Sequence, residues 1–174
     1  MKPVVIDTNV LAVAEGLADH ADNDCRRTCV AFLRDVRSSG VVLVDDGRRI
    51  FGEYLRPFRH RRQPGVGWSF ARWLMDGARA RRQLRAIPIR PRAGDQEDYE
   101  EFPREASLAA FDPSDRKFVA VALASGLDPD IANTVDSDWA MFHSALQAVG
   151  VRIQFLCPHL CAPESGPPPR DCSA

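Results

Sequence analysis

Lysine is almost absent from this sequence, which carries only Lys2 and Lys117 among its 23 basic residues. No apolar run approaches the length of about 20 residues that a membrane-spanning helix requires. The opening Met-Lys-Pro leads straight into a short apolar segment and lacks the pattern of a signal peptide. We therefore expect a cytoplasmic protein without a membrane partner.

The sequence also lacks two motifs that would point to other chemistry. It has no Gly-x-Ser-x-Gly nucleophile elbow and no glycine-rich phosphate loop. An internal repeat is absent as well. No nucleophile or nucleotide-binding motif therefore competes with the carboxylates described below.

Cysteine is present in an odd number, which is a poor basis for a disulfide framework in a cytosolic protein. The five cysteines are Cys25, Cys29, Cys157, Cys161 and Cys172. Cys157-Pro-His159-Leu-Cys161, together with Cys25 and Cys29 one helical turn apart, could supply zinc ligands. Neither spacing is that of a common zinc knuckle, and small buried cysteines are common. Both interpretations stay open at this point.

The composition is otherwise that of an ordinary globular domain. Hydrophobic residues make up 45% and charged residues 27% of the 174 positions, which argues against wholesale disorder. This length suits one domain, which we place at residues 1–156, including an arginine-rich segment at 48–92. Residues 157–174 are rich in Pro, Ser and Gly, and we expect this tail to be largely unstructured beyond about Pro163.

Short apolar runs alternate with helical patterns along the chain. Strands are expected in the run that ends at Ile6 and at Val41–Val44, Ala86–Ile89, Ile131–Val135 and Val151–Leu156. Helices are expected at Asn9–Leu17, Cys25–Ser38, Arg48–Leu55, from about Gly65, from Asp112 to Gly126 and from Asp136 to Val149. Apolar runs without alternation are typical of strands buried on both faces of a parallel sheet. The pattern predicts an α/β fold with a mainly parallel sheet and helices on both faces.

The charges are distributed unevenly, although the net charge is only −1. The segment 48–92 contains thirteen arginines and two acids, Glu53 and Asp76. An acidic block at 95–105 follows, which we expect to be a solvated loop or a short helix. Within the arginine-rich segment, Pro88 suits a strand at the edge of the sheet.

The arginine-rich segment predicts a track for single-stranded RNA, because guanidinium groups bind phosphates and aromatic rings stack on bases. Phe58, Trp68 and Trp73 would supply the rings. The candidate RNA-binding arginines are Arg56, Arg59, Arg61, Arg62, Arg81 and Arg82. The alternative is a solvated helix face that pairs with the acidic block or with a partner protein, and this alternative stays open.

Four carboxylates fall at comparable places in the predicted fold. Asp7 follows the first strand, Glu53 lies in the helix after the second, and Asp115 lies in the first turn of the helix before the Ile131 strand. Asp136 follows that strand directly. Each has a simpler explanation, since Asp7 and Asp136 could cap helices, Asp115 could favour a helix dipole and Glu53 could be a surface residue.

Taken together, the four carboxylates predict a metal site. The carboxyl ends of parallel strands meet at one edge of the sheet, so these acids can converge in one cleft. Several carboxylates in one cleft repel one another unless a cation neutralises them. An all-oxygen site suits Mg²⁺ or Mn²⁺, which activate water and stabilise charge on a phosphate under attack.

Two motifs follow one another along the chain, Val4-Val5-Ile6-Asp7-Thr8-Asn9 and Asn133-Thr134-Val135-Asp136-Ser137-Asp138-Trp139, with Glu53 and Asp115-Arg116-Lys117-Phe118 between them. In this order they resemble the PIN-domain family of metal-dependent ribonucleases. The resemblance covers about residues 3–156. It implies a three-layer α/β/α fold with a five-stranded, mainly parallel sheet, and an endoribonuclease that uses Mg²⁺ or Mn²⁺. It also allows a toxin with an antitoxin protein partner, and a homodimer.

The resemblance assigns roles to individual residues. Asp7, Glu53, Asp115 and Asp136 match the catalytic acidic quartet, and Asp138 is an auxiliary acid. The implied metal ligands are Asp7, Asp115, Asp136 and Asp138, and the implied supporting residues are Asn9, Thr134 and Asp112.

Two other interpretations remain. One is a catalytically silent RNA-binding or scaffold domain with the same fold, although all four acids are present. The other is a phosphotransfer protein of the haloacid dehalogenase or receiver type, since both place an aspartate after the first strand. The former would need a second aspartate at position 9, where this chain has Asn9.

Overall fold

A five-stranded parallel sheet forms the centre of the computed structural model, which describes residues 2–59, 65–78 and 82–161. The strands are β1 (Pro3–Ile6), β2 (Val41–Asp45), β3 (Leu84–Ile87), β4 (Pro91–Arg92), β5 (Asp95–Tyr99), β6 (Asp130–Asn133) and β7 (Arg152–Phe155). The sheet has the order β3-β2-β1-β6-β7, and every neighbouring pair in it is parallel. The predicted α/β class and the parallel sheet are confirmed.

Helices connect the strands and cover the sheet. They are α1 (Thr8–Glu15), α2 (Asn23–Ser39), α3 (Arg49–Leu55), α4 (Val66–Trp73), α5 (Arg116–Ala124), α6 (Ser137–Met141), α7 (His143–Ala148) and α8 (Pro158–Cys161). A π-helical turn at Leu74–Ala78 extends α4, and 3-10 turns lie at Arg56–Phe58, Ala106–Leu108 and Pro113–Asp115. Helices α1, α2 and α4 pack against one another, whereas α5 packs across β1, β2 and β6. This is the predicted three-layer α/β/α arrangement.

The three inner strands are buried on both faces, as their uninterrupted apolar runs predict. In β1, β2 and β6, residues such as Val5, Ile6, Leu43 and Ile131 have no exposed surface. β3 lies at the edge beside β2, which confirms the edge position that Pro88 indicates. The strand ends at Ile87 because Pro88 has no N–H to donate to a ladder.

The expectation for the acidic block is wrong, since its first part is a strand. β5 pairs with β4 in an antiparallel hairpin, and Gly94 adopts a φ of 87° in the turn. Arg92 Nε lies 2.8 Å from Asp98 Oδ2, so part of the acidic block pairs with the end of the arginine-rich segment. Tyr99 and Phe102 are buried and hold the hairpin against the domain.

The helix predicted after Asp136 is interrupted once. Phe142 has φ −93° and ψ 6°, and it both ends α6 and precedes α7. Trp139 and Leu146 are still fully buried on either side of it, so the predicted inner face is correct although the helix is not continuous.

The expectation against disulfides is wrong for one pair of cysteines. Cys25, in the first turn of α2, is bonded to Cys157, which follows β7 and lies 132 positions later in the chain. Cys29 is a free, fully buried cysteine, and burial raises the pKa of its thiol to about 12. The tail beyond Pro163, which we predict to be unstructured, lies outside the described residues.

Helix α4 is positioned by residues of α1. The carboxylate of Glu15 is buried and accepts hydrogen bonds from the N–H groups of Gly65 (2.8 Å) and Trp68 (3.0 Å). These N–H groups lie at the start of α4, where helices leave donors without intrahelical partners. Gly67 lies directly under the carbonyl oxygen of Leu11, and a Cβ atom there would be 2.1 Å from that oxygen.

We expect Gly67→Ala to destabilise the protein by about 1–3 kcal/mol, because the added methyl group forces two backbones apart. The free energy of unfolding in denaturant measures this effect. Gly52→Ala in α3 is the matched control, since a Cβ atom there meets nothing within 4 Å. It should be neutral or stabilising by up to about 1 kcal/mol. Equal stability of the two variants would contradict the close packing of α1 and α4.

Candidate active site

Three carboxylates meet at the carboxyl edge of the sheet. Asp7 follows β1, Asp136 follows the neighbouring strand β6, and Asp115 ends the turn before α5. One carboxylate oxygen from each lies within 4.8 Å of those of the other two. The structure therefore brings together three of the four acids predicted from the sequence.

Asp7 and Asp136 also have the simpler role of helix caps. Asp7 Oδ1 accepts the N–H of Asn9 at 3.0 Å, and Asp136 Oδ1 accepts the N–H of Asp138 at 2.9 Å. The other oxygen of Asp7 accepts a bond from Asn133 Nδ2 at 3.3 Å. The capping bonds fix where both carboxylates lie, so the structural and the functional interpretation are compatible.

Asp115 is held differently. It is buried at the end of the Pro113–Asp115 turn, and its side chain makes no capping bond to α5. Asp112 begins this turn, because its Oδ1 accepts the N–H of Ser114 at 2.8 Å. Asp112 thus caps the turn that ends at Asp115, whereas Asp115 makes no capping bond that would explain its own burial.

Burial and mutual repulsion disfavour the ionised carboxylates. Burial raises the pKa of Asp115 to about 9, and the charges of Asp7 and Asp136 contribute to the increase. Burial likewise raises the pKa of Asp7 to about 7, against the hydrogen bond from Asn9, and the charges of Asp136 and Glu53 add to it. The pKa of Asp136 is also raised, mainly by burial. Burial and repulsion therefore oppose full ionisation of the cluster, and a bound cation would relieve both.

Glu53 lies at the margin of the cluster rather than within it. Its Oε1 accepts a hydrogen bond from the hydroxyl of Thr8 at 2.9 Å. Its Oε2 forms an ion pair with Lys117, whose buried ammonium also donates to the carbonyl oxygen of Ser114. Lys117 thus brings a positive charge to the site, and the rarity of lysine in the sequence was the only signal that marked it.

Asn9 and Thr134, the polar supports predicted from the sequence, are hydrogen-bonded to each other. Asn9 Oδ1 accepts hydrogen bonds from the hydroxyl of Thr134 at 2.8 Å and from its N–H at 3.2 Å. These bonds join the segments that follow β1 and β6. Asn9 Nδ2 is buried and has no hydrogen-bond partner among the described residues. Asp138 is partly buried beside Asp136 and its charge raises the pKa of Asp136, but it is not part of the three-carboxylate cluster.

A cavity of about 370 Å³ lies next to Glu53, and Asp7, Asp115 and Asp136 are not among the residues that line it. Glu53 and Lys117 form its wall on the acidic side, and Arg49 and Arg56 line it from α3 and the turn that follows. Tyr99 of the β4–β5 hairpin also lines it. The cavity combines cationic and aromatic groups next to Glu53, a combination that the sequence did not reveal because the hairpin was not expected.

The candidate RNA-binding arginines are only partly described. Arg56, Arg59 and Arg82 are exposed, and none of them forms an ion pair within the described ranges. Arg61, Arg62 and Arg81 lie outside these ranges. Arg90 and Arg92, by contrast, pair with Glu100 and Asp98, so the predicted pairing with the acidic block does occur at the end of the segment.

Comparisons with known proteins found no relative of this chain. No family model, curated protein or solved structure matches the chain. In the part of the chain that the structure describes, no helix combines the length and the apolar character needed to cross a bilayer.

Proposed function

We propose that this protein is a metal-dependent endoribonuclease of the PIN type, which hydrolyses phosphodiester bonds in RNA. The observation that carries the proposal is the convergence of Asp7, Asp115 and Asp136 within 4.8 Å at the sheet edge. Two of the three are buried, and burial without a cation is unfavourable for carboxylates. A structural role would not require three acids from three separate segments to share one site.

The donor set fits a hard divalent cation. Carboxylate oxygens are the ligands that Mg²⁺ and Mn²⁺ prefer in proteins. Asp7, Asp115 and Asp136 would hold the ion, with Asp138 beside them. When bound, such an ion would lower the pKa of a coordinated water, so that it loses a proton more easily and becomes a nucleophile. It would also offset negative charge on a phosphate.

The residues around the acids support an anionic substrate. Lys117 and Arg56 place positive charge in the adjoining cavity, which offsets the repulsion between a phosphate and the carboxylates. Tyr99 borders the same cavity but is almost wholly buried, so it shapes the wall and leaves no ring free for stacking. The Nδ2 group of Asn9, whose backbone N–H binds Asp7, is buried and has no hydrogen-bond partner among the described residues.

Cleavage of a mixed RNA pool by the purified protein tests the proposal. We expect internal cleavage in Mg²⁺ or Mn²⁺ and none in excess chelator, because without a cation the carboxylates repel the phosphate that is to be attacked. RNA that is bound but never cleaved would instead favour the silent RNA-binding or scaffold domain.

A narrower form of the proposal is a toxin held by an antitoxin protein in the cytoplasm, with the toxin itself a homodimer. Expression of the wild-type chain should then arrest growth, and a variant without nuclease activity should not. Growth arrest by both chains would separate toxicity from the nuclease.

We also expect the exposed arginines to carry RNA. Reversing Arg56, Arg59 and Arg82 to Glu should weaken RNA binding and reduce the slope of log K against log salt by about 2, since each phosphate contact on a single strand contributes about 0.7. Filter binding at several salt concentrations measures both quantities.

Reversal of three exposed arginines outside the segment provides the matched control for this measurement. The control positions are Arg26, Arg34 and Arg104. The control changes the net charge equally, so an equal loss of affinity in both variants would mean that overall charge, and not the segment, binds RNA.

A further inference from the structure

A second cluster of potential ligands lies away from the carboxylates and consists of sulfur. Cys25 and Cys29 occupy successive turns at the start of α2, and Cys157 follows β7. Their three sulfur atoms lie within 4.8 Å of one another. All three residues are buried, with at most 1% of their surface exposed.

The disulfide accounts for only two of these sulfurs. Cys25 and Cys157 are bonded, and Cys29 is a free thiol beside them. In a tetrahedral zinc site with Zn–S distances of about 2.3 Å, neighbouring sulfurs are about 3.8 Å apart. Cys29 Sγ lies at most about 1 Å beyond this spacing, so separation of the bonded pair brings the three sulfurs close to the geometry of a metal site.

We propose that Cys25, Cys29 and Cys157 bind zinc when the disulfide is reduced, so that the chain exchanges a disulfide for a metal ion. Reduction by a dithiol breaks the Cys25–Cys157 bond, adds two electrons and two protons to its sulfurs, and leaves the reductant as a disulfide. Binding of Zn²⁺ then displaces three thiol protons and forms three Zn–S bonds, with water in the fourth position. Oxidation by a small-molecule disulfide reverses both steps.

The local structure favours thiolates and a soft ion at this place. Cys25 lies in the first turn of a 17-residue helix, and the N-terminus of a helix stabilises a thiolate. Zn²⁺ with three thiolates leaves a net charge of −1, which is far less costly to bury than uncompensated thiolates. Thiolates select zinc over Mg²⁺ and Mn²⁺, so this site and the carboxylate cluster would hold different metals.

Residues that flank Cys25 and Cys157 would keep the site in place after reduction. Asp22 Oδ1 accepts the N–H of Cys25 at 2.7 Å, and Asp22 Oδ2 lies 2.9 Å from Nε2 of His159. The N–H of Leu156 donates to the carbonyl oxygen of Asn133 at 2.8 Å. Both cysteine segments are thus tied by contacts that do not depend on the disulfide, so the sulfurs should stay close when it is broken.

Cobalt substitution tests the proposal, because thiolate ligands give Co²⁺ an intense charge-transfer absorption that carboxylates do not. The full-length protein, reduced with a phosphine, should bind Co²⁺ with this absorption, and Zn²⁺ should displace the cobalt. Cys29→Ser should weaken zinc binding by at least about a hundredfold, since even the loss of a residue that only orients a ligand costs 10–100-fold. Cys29→Ala serves as a second variant in case serine disturbs the buried position.

Two controls and one redox step complete the experiment. Cys172→Ser and Asp115→Asn should keep the cobalt absorption, because neither changes the cysteine cluster. Glutathione disulfide should expel zinc as the Cys25–Cys157 bond forms, which a chromophoric chelator and mass spectrometry follow together. Absence of thiolate absorption in the reduced wild type, equal zinc binding by both Cys29 variants, or zinc that stays bound after oxidation would each overturn the proposal.

Discussion

Asp115→Asn is expected to abolish metal-dependent RNA cleavage while the protein stays folded. Asparagine keeps the size of the side chain, and the fold does not use Asp115 to cap α5. The charge that would hold a cation is lost, and we expect a decrease in cleavage rate on the order of a thousandfold, the upper range for removal of one electrostatic group. Initial cleavage rates on one RNA, with and without metal, measure the effect.

The same substitution should stabilise the metal-free protein. The pKa of Asp115 is raised from its usual value of 3.8 to about 9, and that of Asp7 to about 7. A raised carboxyl pKa means that stability is greatest below the unfolded value and is lost as the pH rises to the folded value. In chelator, the wild type should therefore lose stability from about pH 4 to about pH 9, and Asp115→Asn should lose less.

Thermal melting in chelator at pH 5 and pH 8 separates these expectations. We expect the variant to exceed the wild type at pH 8 by at least about 1 kcal/mol, the free energy of roughly one pKa unit, and to match it more closely at pH 5. Asp76→Asn is the control, since Asp76 is exposed and pairs only with Arg72 among the described residues. Full cleavage by Asp115→Asn would show that this residue is not part of the catalytic site.

The sheet and two of the acids could be predicted because their signals are local. The uninterrupted run before Asp7 marks a strand buried on both faces, and the same holds for the run before Asp45. The rule that parallel strands share a carboxyl edge then places Asp7 and Asp136 together without any knowledge of distances. The order of the strands and acids along the chain was therefore enough to predict that Asp7 and Asp136 lie close together.

The ion pair of Glu53 and Lys117 could not be predicted from the chain order. It depends on where α3 lies relative to α5, and no periodicity in either helix predicts an ion pair between them. The sequence alone therefore placed Glu53 with the other carboxylates. The structure places it at their margin, bonded to Thr8 and Lys117.

The hairpin and the disulfide were missed for a related reason. The residues of β5 are mostly charged and resemble a loop, and only the burial of Tyr99 and Phe102 shows that the segment is anchored. Cys25 and Cys157 are far apart in the chain, and no spacing rule connects them. The hairpin and the disulfide depend on tertiary contacts, whereas the strands of the sheet follow from local sequence patterns.

Metal binding should raise the free energy of unfolding of the wild type, and this gain should depend on the carboxylates of the acid cluster. A cation that binds only the folded protein stabilises it by about 2.7 kcal/mol at 100 times its dissociation constant, and by about 4.1 kcal/mol at 1,000 times. Asp7→Asn combined with Asp136→Asn should abolish this gain. Asparagine is as good a helix cap as aspartate, so α1 and α6 should keep their caps.

Melting curves in chelator and in increasing Mg²⁺ or Mn²⁺ measure the gain for each protein. Oxidised samples are used, so that the disulfide removes the thiolates as competing ligands. Asp95→Asn with Glu97→Gln is the matched control, because it removes two charges from the exposed hairpin and leaves the sheet edge unchanged. This control should keep the full gain. If the Asp7 and Asp136 double variant also keeps it, the metal binds elsewhere and the carboxylate cluster is not the site.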